Sequence, residues 1–189
     1  MEYSQLGKFG VKVSRICLGS AFRCQTDDAV CERIVHRALE LGCNFIDSAN
    51  FYGVGRSEEI VGRALRGKRD DVVITSKVFS PIGPGPNDRG LSRFHIMREV
   101  ERSLKRLQTD RMDIYLQHSF DSTTPAEEIL RAMDDLVRQG KVIYTGSCNH
   151  APWRLMEQLG ICRAEGLAPL TVTQHPYNLL QRHQVEGDL

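Results

Sequence analysis

The sequence predicts an α/β fold built on a parallel sheet, and specifically a (β/α)8 barrel entered through an N-terminal β-hairpin. Three observations carry this. Six short apolar runs alternate with segments of helical periodicity along nearly the whole chain, the pattern of strands covered by helices. The glycine fingerprint that an open nucleotide-binding sheet needs after its first strand is absent: "LGSAFRCQ" holds a single glycine, and Gly53-x-Gly55 follows the second strand and lacks the third glycine. Polar residues stand at the C-terminal ends of successive strands, where a barrel gathers them at one mouth.

The elements follow in order. "YSQLGKFGVKVSRI" alternates apolar and polar around Gly7 and Gly10, which reads as a small hairpin. Arg15–Ser20 is the first strand of the sheet. A helix is expected from Thr26 as N-cap, with Asp27 and Asp28 in its first turn and Val30, Ile34, Val35, Ala38 and Leu41 as its apolar face; Gly42 stops it. "NFIDSAN" is the second strand, and Ser57-Glu58-Glu59 opens the next helix. The third strand, in "DVVITSKV", has a β-branched core over Val72–Thr75. Ser80–Gly90, "SPIGPGPNDRG", breaks both helix and sheet and reads as a functional loop or lid. A long helix with Met97, Val100, Leu104 and Leu107 on one face leads to the fourth strand, "MDIYLQHS". Thr124-Pro125-Ala126-Glu127 reads as a capping box with Pro at the first helical position, opening a helix through Ile129, Met133 and Val137 to Gly140. "VIYTGSCN" is the fifth strand, Ala151 to about Glu165 a helix, and "LTVTQHPY" the sixth strand.

Composition narrows the function. The 189 residues are 41% hydrophobic and 26% charged, enough for one domain, residues 1–189, with a sizeable core. Lys plus Arg total 25 and Asp plus Glu 24, a net charge of +1, which gives no reason to expect nucleic acid or an anionic membrane as partner. The densest basic stretch, "RSLKRLQTDR", reads as the solvated face of a helix. Six cysteines without a C-x-x-C pair suggest buried thiols in a reducing compartment, hence the cytoplasm. The first ten residues lack a signal pattern, and no run approaches the ~18 apolar residues of a membrane span. His95, His150, His175 and His183 show no metal spacing, and no metal is expected.

The chemistry sits at the strand ends. Asp47 ends the second strand, Lys77 the third, His118 the fourth and Asn149 the fifth, while Gln174 lies in the sixth and Tyr52 in the loop after Asp47. Each alone has a plain structural reading; together they form a proton-transfer set. A phenol has a pKa near ~10 in water, too high for easy donation at neutral pH, and an adjacent ammonium favours the phenolate. Asp47 supplies the ammonium's counter-charge, and a histidine across the pocket can aim a carbonyl oxygen at the acid. No side chain carries hydride, so a nicotinamide is implied.

"GCNFIDSANFYGVGRSEEIVGRAL", "ITSKV", "MDIYLQHSFD", "GKVIYTGSCN" and "QHPYNLL" resemble the aldo/keto reductase superfamily, and the proline-rich loop resembles its branch similar to potassium-channel β subunits. The resemblance implies a (β/α)8 barrel with a hairpin at its base and NADPH-dependent reduction of small-molecule aldehydes and ketones. It implies Asp47, Tyr52, Lys77 and His118 as the catalytic tetrad with Tyr52 as general acid. It also implies that Gly19, Ser20, Asp47, Cys148, Asn149, Gln174 and Tyr177 hold NADPH or NADP+, Asn149 and Gln174 at the carboxamide and Tyr177 stacked on the ring. Cys148 stands where the family has serine, a weaker hydrogen-bonding group that is expected to lower cofactor affinity. A full barrel takes about 250 residues. The chain is therefore expected to be a truncation after about the sixth strand, with unpaired edges, poorly soluble or inactive alone. Two other functions fit the same fold: a non-catalytic, cofactor-sensing regulatory subunit, and a Schiff-base aldolase using Lys77 as nucleophile.

Overall fold

The computed structural model describes residues 1–188. Strands β1 (Tyr3–Gln5) and β2 (Lys12–Ser14) pair antiparallel as the expected hairpin. Six parallel strands follow in chain order, each bonded to the next: β3 (Leu18–Gly19), β4 (Phe45–Asp47), β5 (Val73–Val78), β6 (Met112–Gln117), β7 (Val142–Cys148) and β8 (Leu170–Gln174). Between them run α1 (Asp28–Glu40), α2 (Arg56–Ala64), α3 (Arg93–Leu107), α4 (Ala126–Arg138) and α5 (Pro152–Glu165), and a short α6 (His183–Asp188) follows β8. The first parallel strand is shorter than the span Arg15–Ser20, and the third begins at Val73 and ends at Val78, where the expected segment ends.

The sheet curls as a barrel wall does. β4 and β8 are four strand spacings apart, about 19 Å in a flat sheet. Yet Gln174 Nε2, at the end of β8, donates to Asp47 Oδ1, at the end of β4, over 3.3 Å. Strand alternation then separates two faces. Ile46, Ile74, Val78 and Tyr115 face outward and pack with Val61, Ile96, Val100, Leu104 and Ile129 of the helices as the main core. Val73, Ile114, Leu116 and Cys148 face inward, and the hairpin's Val13, with Leu6 and Val11, closes the base under them.

Several local expectations give way to tertiary contacts. The N-cap of α1 is Asp27, not Thr26: its carboxylate accepts the Ala29 and Val30 amides, and a carboxylate is also the better partner for the helix dipole. The inward stripe of α1 is Cys31, Val35 and Leu39, leaving Ile34 and Leu41 exposed. Arg63 of α2 grips Asp28 and Glu32 at 2.7 and 2.6 Å and turns that stripe inward. The capping box at Thr124 does not form. Pro125 is itself the N-cap of α4, and the Thr124 hydroxyl donates to Asp121. Cys17 and Cys24 are exposed, whereas the other four cysteines are buried. The basic stretch on α3 is more than a solvated face, because Arg106 turns inward to the buried Glu58 (2.6 Å) and Arg102 to the buried Glu99 (2.9 Å). Gly62 lets α2 and α3 meet this closely: a Cβ there would lie 2.5 Å from the Arg106 carbonyl oxygen.

Candidate active site

Asp47 and Lys77 come from inward positions at the C-terminal ends of β4 and β5, and His118 directly follows β6, its amide continuing the ladder to the Val78 carbonyl at 2.9 Å. Tyr52 comes from the turn between β4 and α2. Within that turn the Tyr52 amide donates to the Ala49 carbonyl, and the Ser57 amide donates to the Tyr52 carbonyl. Behind it, the Ser57 hydroxyl bonds Ser48 and Ser20 at 2.8 Å each, and Asn50 Nδ2 donates to the buried Glu99 over 3.3 Å. The turn is thus braced from the helix layer while its Tyr52 ring lies on the inner side.

Lys77 is the centre of the cluster. Its side chain is 1% exposed. Nζ donates to Asp47 Oδ1 at 2.6 Å, to the Ser48 carbonyl at 2.8 Å and to Tyr52 Oη at 3.4 Å. Those are all the donors an ammonium has. The structure therefore brings Asp47, Lys77 and Tyr52 into one hydrogen-bonded unit. The His118 ring stands edge-on to Tyr52 with centroids 5.8 Å apart. Its Nδ1 is buried without a hydrogen-bond partner among the described residues. Burial, and then the nearby Lys77 charge, push the His118 pKa down to about 4, so the ring is neutral at neutral pH.

The residues expected to hold a cofactor divide into two groups. Gly19 lies opposite Asp47 in the strand register, and a Cβ on it would meet nothing within 4 Å, so the backbone there is open to a flat ligand. Gln174 reaches Asp47 from the other side. Cys148 donates its thiol to Gln174 Oε1 over 3.4 Å. Burial pushes that thiol up to about 12, which keeps it protonated as a weak donor. Asn149 has left-handed backbone (φ 60°), which lifts its exposed side chain off the strand end, while its amide donates to the Gln174 carbonyl at 3.0 Å. The other two residues have their hydroxyls engaged within the protein. The Ser20 side chain is wholly buried and bonded to the Asp47 carbonyl and Ser57, so it braces the turn. Tyr177 is exposed, and its hydroxyl donates to Glu186 of α6 at 2.6 Å.

The donor set suits a nicotinamide. A carboxamide presents one acceptor and one donor edge, the side-chain amides of Asn149 and Gln174 present the complement, and the open ground over Gly19 leaves room for a planar ring. Sequence reasoning missed the brace itself: Ser48, Asn50, Ser57, Glu58 and Glu99. The only hint was the density of small polar residues in "DSANFYG".

Comparison with known proteins gives the family of the chain. The model of the aldo/keto reductase family matches residues 15–189. An oxidoreductase of Bacillus subtilis (strain 168), named "Uncharacterized oxidoreductase YrpG", is 44% identical over 194 residues, covering 96% of this chain and 60% of its own length. "Probable voltage-gated potassium channel subunit beta" proteins of Arabidopsis thaliana and of Oryza sativa subsp. japonica are 40% and 38% identical over 193 residues, covering 100% of this chain and 58% of their own. The chain spans about three-fifths of the length of these curated relatives. It belongs to the aldo/keto reductase family, in the branch of channel-β-like oxidoreductases, and its curled six-stranded sheet with a basal hairpin is the corresponding part of that family's (β/α)8 barrel.

Proposed function

We propose that this chain carries the active centre of an NADPH-dependent oxidoreductase that reduces aldehydes or ketones to alcohols, with Tyr52 as general acid. The observation that carries the reading is the ammonium of Lys77 bonded to both Asp47 (2.6 Å) and Tyr52 Oη (3.4 Å) at the mouth of the sheet. Asn149 and Gln174 would hold the carboxamide of the cofactor, and a bound reduced nicotinamide supplies the hydride for the carbonyl carbon. Neutral His118 hydrogen-bonds the carbonyl oxygen and orients it towards Tyr52. Tyr52 gives its proton to that oxygen, so the product leaves as a neutral alcohol. The Lys77 hydrogen bond stabilises the charge left on Oη until solvent returns a proton, and Asp47 holds Lys77 in place.

The aldolase reading has no support in this geometry. All three donor positions of Lys77 are engaged, which leaves no direction for attack on a carbonyl. The second reading, a regulatory subunit, is favoured by the two plant relatives, which are named as probable voltage-gated potassium channel β subunits. Oxidation of NADPH on addition of a simple aromatic aldehyde separates the two functions. For the reductase, Tyr52→Phe lowers kcat by about 10²–10⁴-fold with NADPH binding retained; equal turnover by the variant sinks the assignment. No helix among the described residues is long and apolar enough to cross a membrane. Six unpaired cysteines support a reducing, cytoplasmic setting.

A further inference from the structure

The turn that carries Tyr52 is bent against its own backbone preference. Gly53, Val54 and Gly55 all lie in the left-handed region, at φ of 61°, 52° and 95°. Glycine takes that region freely, whereas Val54 is β-branched and is strained there. Its side chain is 66% exposed, so packing returns little for the strain. A strained residue persists where the contacts around it hold it, and such residues cluster at reacting sites.

Contacts hold this turn at both ends. At its exit, Gly55 lies so close on the Arg106 side chain that a Cβ there would come within 2.6 Å of Arg106 Cδ. At its entry stands Asn50, which is buried and bonded in two directions. Its amide donates to the carbonyl of Lys77 at 3.3 Å, on the strand that delivers the ammonium. Its Nδ2 donates to Glu99 Oε2 on α3 at 3.3 Å, and Arg102 holds the other oxygen of Glu99 at 2.9 Å. A carboxylate only accepts, so Nδ2 must face Glu99, and Oδ1 is left buried without a partner among the described residues. An unpartnered acceptor costs stability that an apolar side chain would not, so packing alone does not explain an asparagine here. Two residues on, Tyr52 Oη lies 3.4 Å from Lys77 Nζ, near the limit of a hydrogen bond. A small withdrawal of the turn breaks that contact.

We propose that Asn50 is a positioning residue: by tying the turn to Glu99 it holds the strained backbone at Val54 in place and keeps the Tyr52 hydroxyl within reach of Lys77. The inference rests on the reductase reading for what Tyr52 does with its proton. Release of Asn50 lets the strain relax, and the hydroxyl leaves the ammonium. Removal of the strain itself makes the tie dispensable. Asparagine tolerates left-handed backbone where valine does not, so Val54→Asn compensates for the loss of Asn50.

The test reads the phenol directly and needs no turnover. The 189-residue chain is labelled with carbon-13 at tyrosine Cζ, and the Tyr52 signal is assigned by its loss in Tyr52→Phe. Lys77→Met supplies the position of that signal without the ammonium. Asn50→Ala should carry the signal at least halfway to that position, and Asn50→Ala combined with Val54→Asn should return most of the way. Val35→Ala, a cavity in the main core under α1, should leave it in place. A signal unmoved by Asn50→Ala, moved as far by Val35→Ala, or not returned by Val54→Asn would overturn the proposal. Should Asn50→Ala not fold, Asn50→Ser is read in the same way. Kinetics with NADPH and benzaldehyde follows, where Asn50→Ala should lower kcat by about 10²-fold with the KM for NADPH unchanged. If the signal moves and returns as described but no variant or parent reduces the aldehyde, the reductase reading fails and the positioning role stands. If Asn50→Ala turns over like the parent while Tyr52→Phe does not, the positioning role fails and the reductase reading stands.

Discussion

Each face of the curled sheet holds a buried ion pair of the same length. On the inner face Lys77 meets Asp47 at 2.6 Å; on the outer face Arg106 meets Glu58 at 2.6 Å. The surroundings differ. Glu58, Ser76 and Glu99 are sealed between the sheet and α2 and α3, with Ser76 Oγ donating to Glu58 at 2.5 Å and Arg102 and Asn50 closing on Glu99. Two polar atoms sealed in with them, the Tyr115 hydroxyl and Asn50 Oδ1, have no hydrogen-bond partner among the described residues. The inner pair instead leads outward through a phenol, an imidazole with a free nitrogen, and exposed amides at the barrel mouth. Ion-pair length therefore says nothing about role. What distinguishes the pairs is whether the groups around them have a route to a ligand. The turn Ser48–Gly55 connects them, since Asn50 anchors it to the outer cluster while Lys77 touches its Ser48 carbonyl and Tyr52 hydroxyl.

If this contrast is right, perturbing the outer cluster costs stability and perturbing the inner one costs chemistry. The largest effect is expected for Arg106→Met, which strands the buried Glu58 without its counter-charge. Unfolding in urea should show a loss of about 3–5 kcal/mol, and a loss near zero would break the distinction. Gly62→Ala should follow at about 1–3 kcal/mol, because its Cβ meets the Arg106 and Leu107 backbone at 2.5–2.8 Å. Gly160→Ala on α5 meets nothing within 4 Å and should be neutral or stabilising by up to about 1 kcal/mol. Tyr52→Phe removes one long hydrogen bond, so the same urea assay should register less than about 1 kcal/mol while reduction collapses.

A separate effect concerns pH. The unfolded chain protonates His118 near ~6.5, while the folded chain holds it neutral down to about 4. Between those values the unfolded state binds the extra proton, so stability is whole above about 6.5 and declines as pH falls through the window. His118→Gln should flatten that part of the profile. NMR titration of the ring should give a midpoint near 4, moving up in Lys77→Met but short of the ordinary value, because burial is the larger cause.

Much of the site was legible because its signals are local. Strand alternation puts Asp47 and Lys77 on one face of adjacent strands and continues to His118, and the irregularity of Ser80–Gly90 follows from its prolines and glycines. The outer cluster was illegible because Glu58 and Glu99 read as ordinary helix-surface charges. Their burial depends on Arg106, which lies 48 residues from Glu58. Thr124 and Thr26 misled for the same reason. Both fit a capping pattern locally, but Asp121 claims the first and Asp27 takes the place of the second.

By itself the sequence determined the alternation of strands and helices, the order of the sheet and the side of each strand on which the reactive groups stand. All of these follow from backbone sterics and the two-residue period of a strand. Only the tertiary structure decided that Gln174 returns to Asp47 across 127 residues, that the hydroxyls of Ser20 and Tyr177 bond the Asp47 carbonyl and Glu186, and which charges lie buried. Those outcomes depend on the accumulated curl of six strands and on how closely α2 and α3 pack, quantities that no single segment encodes.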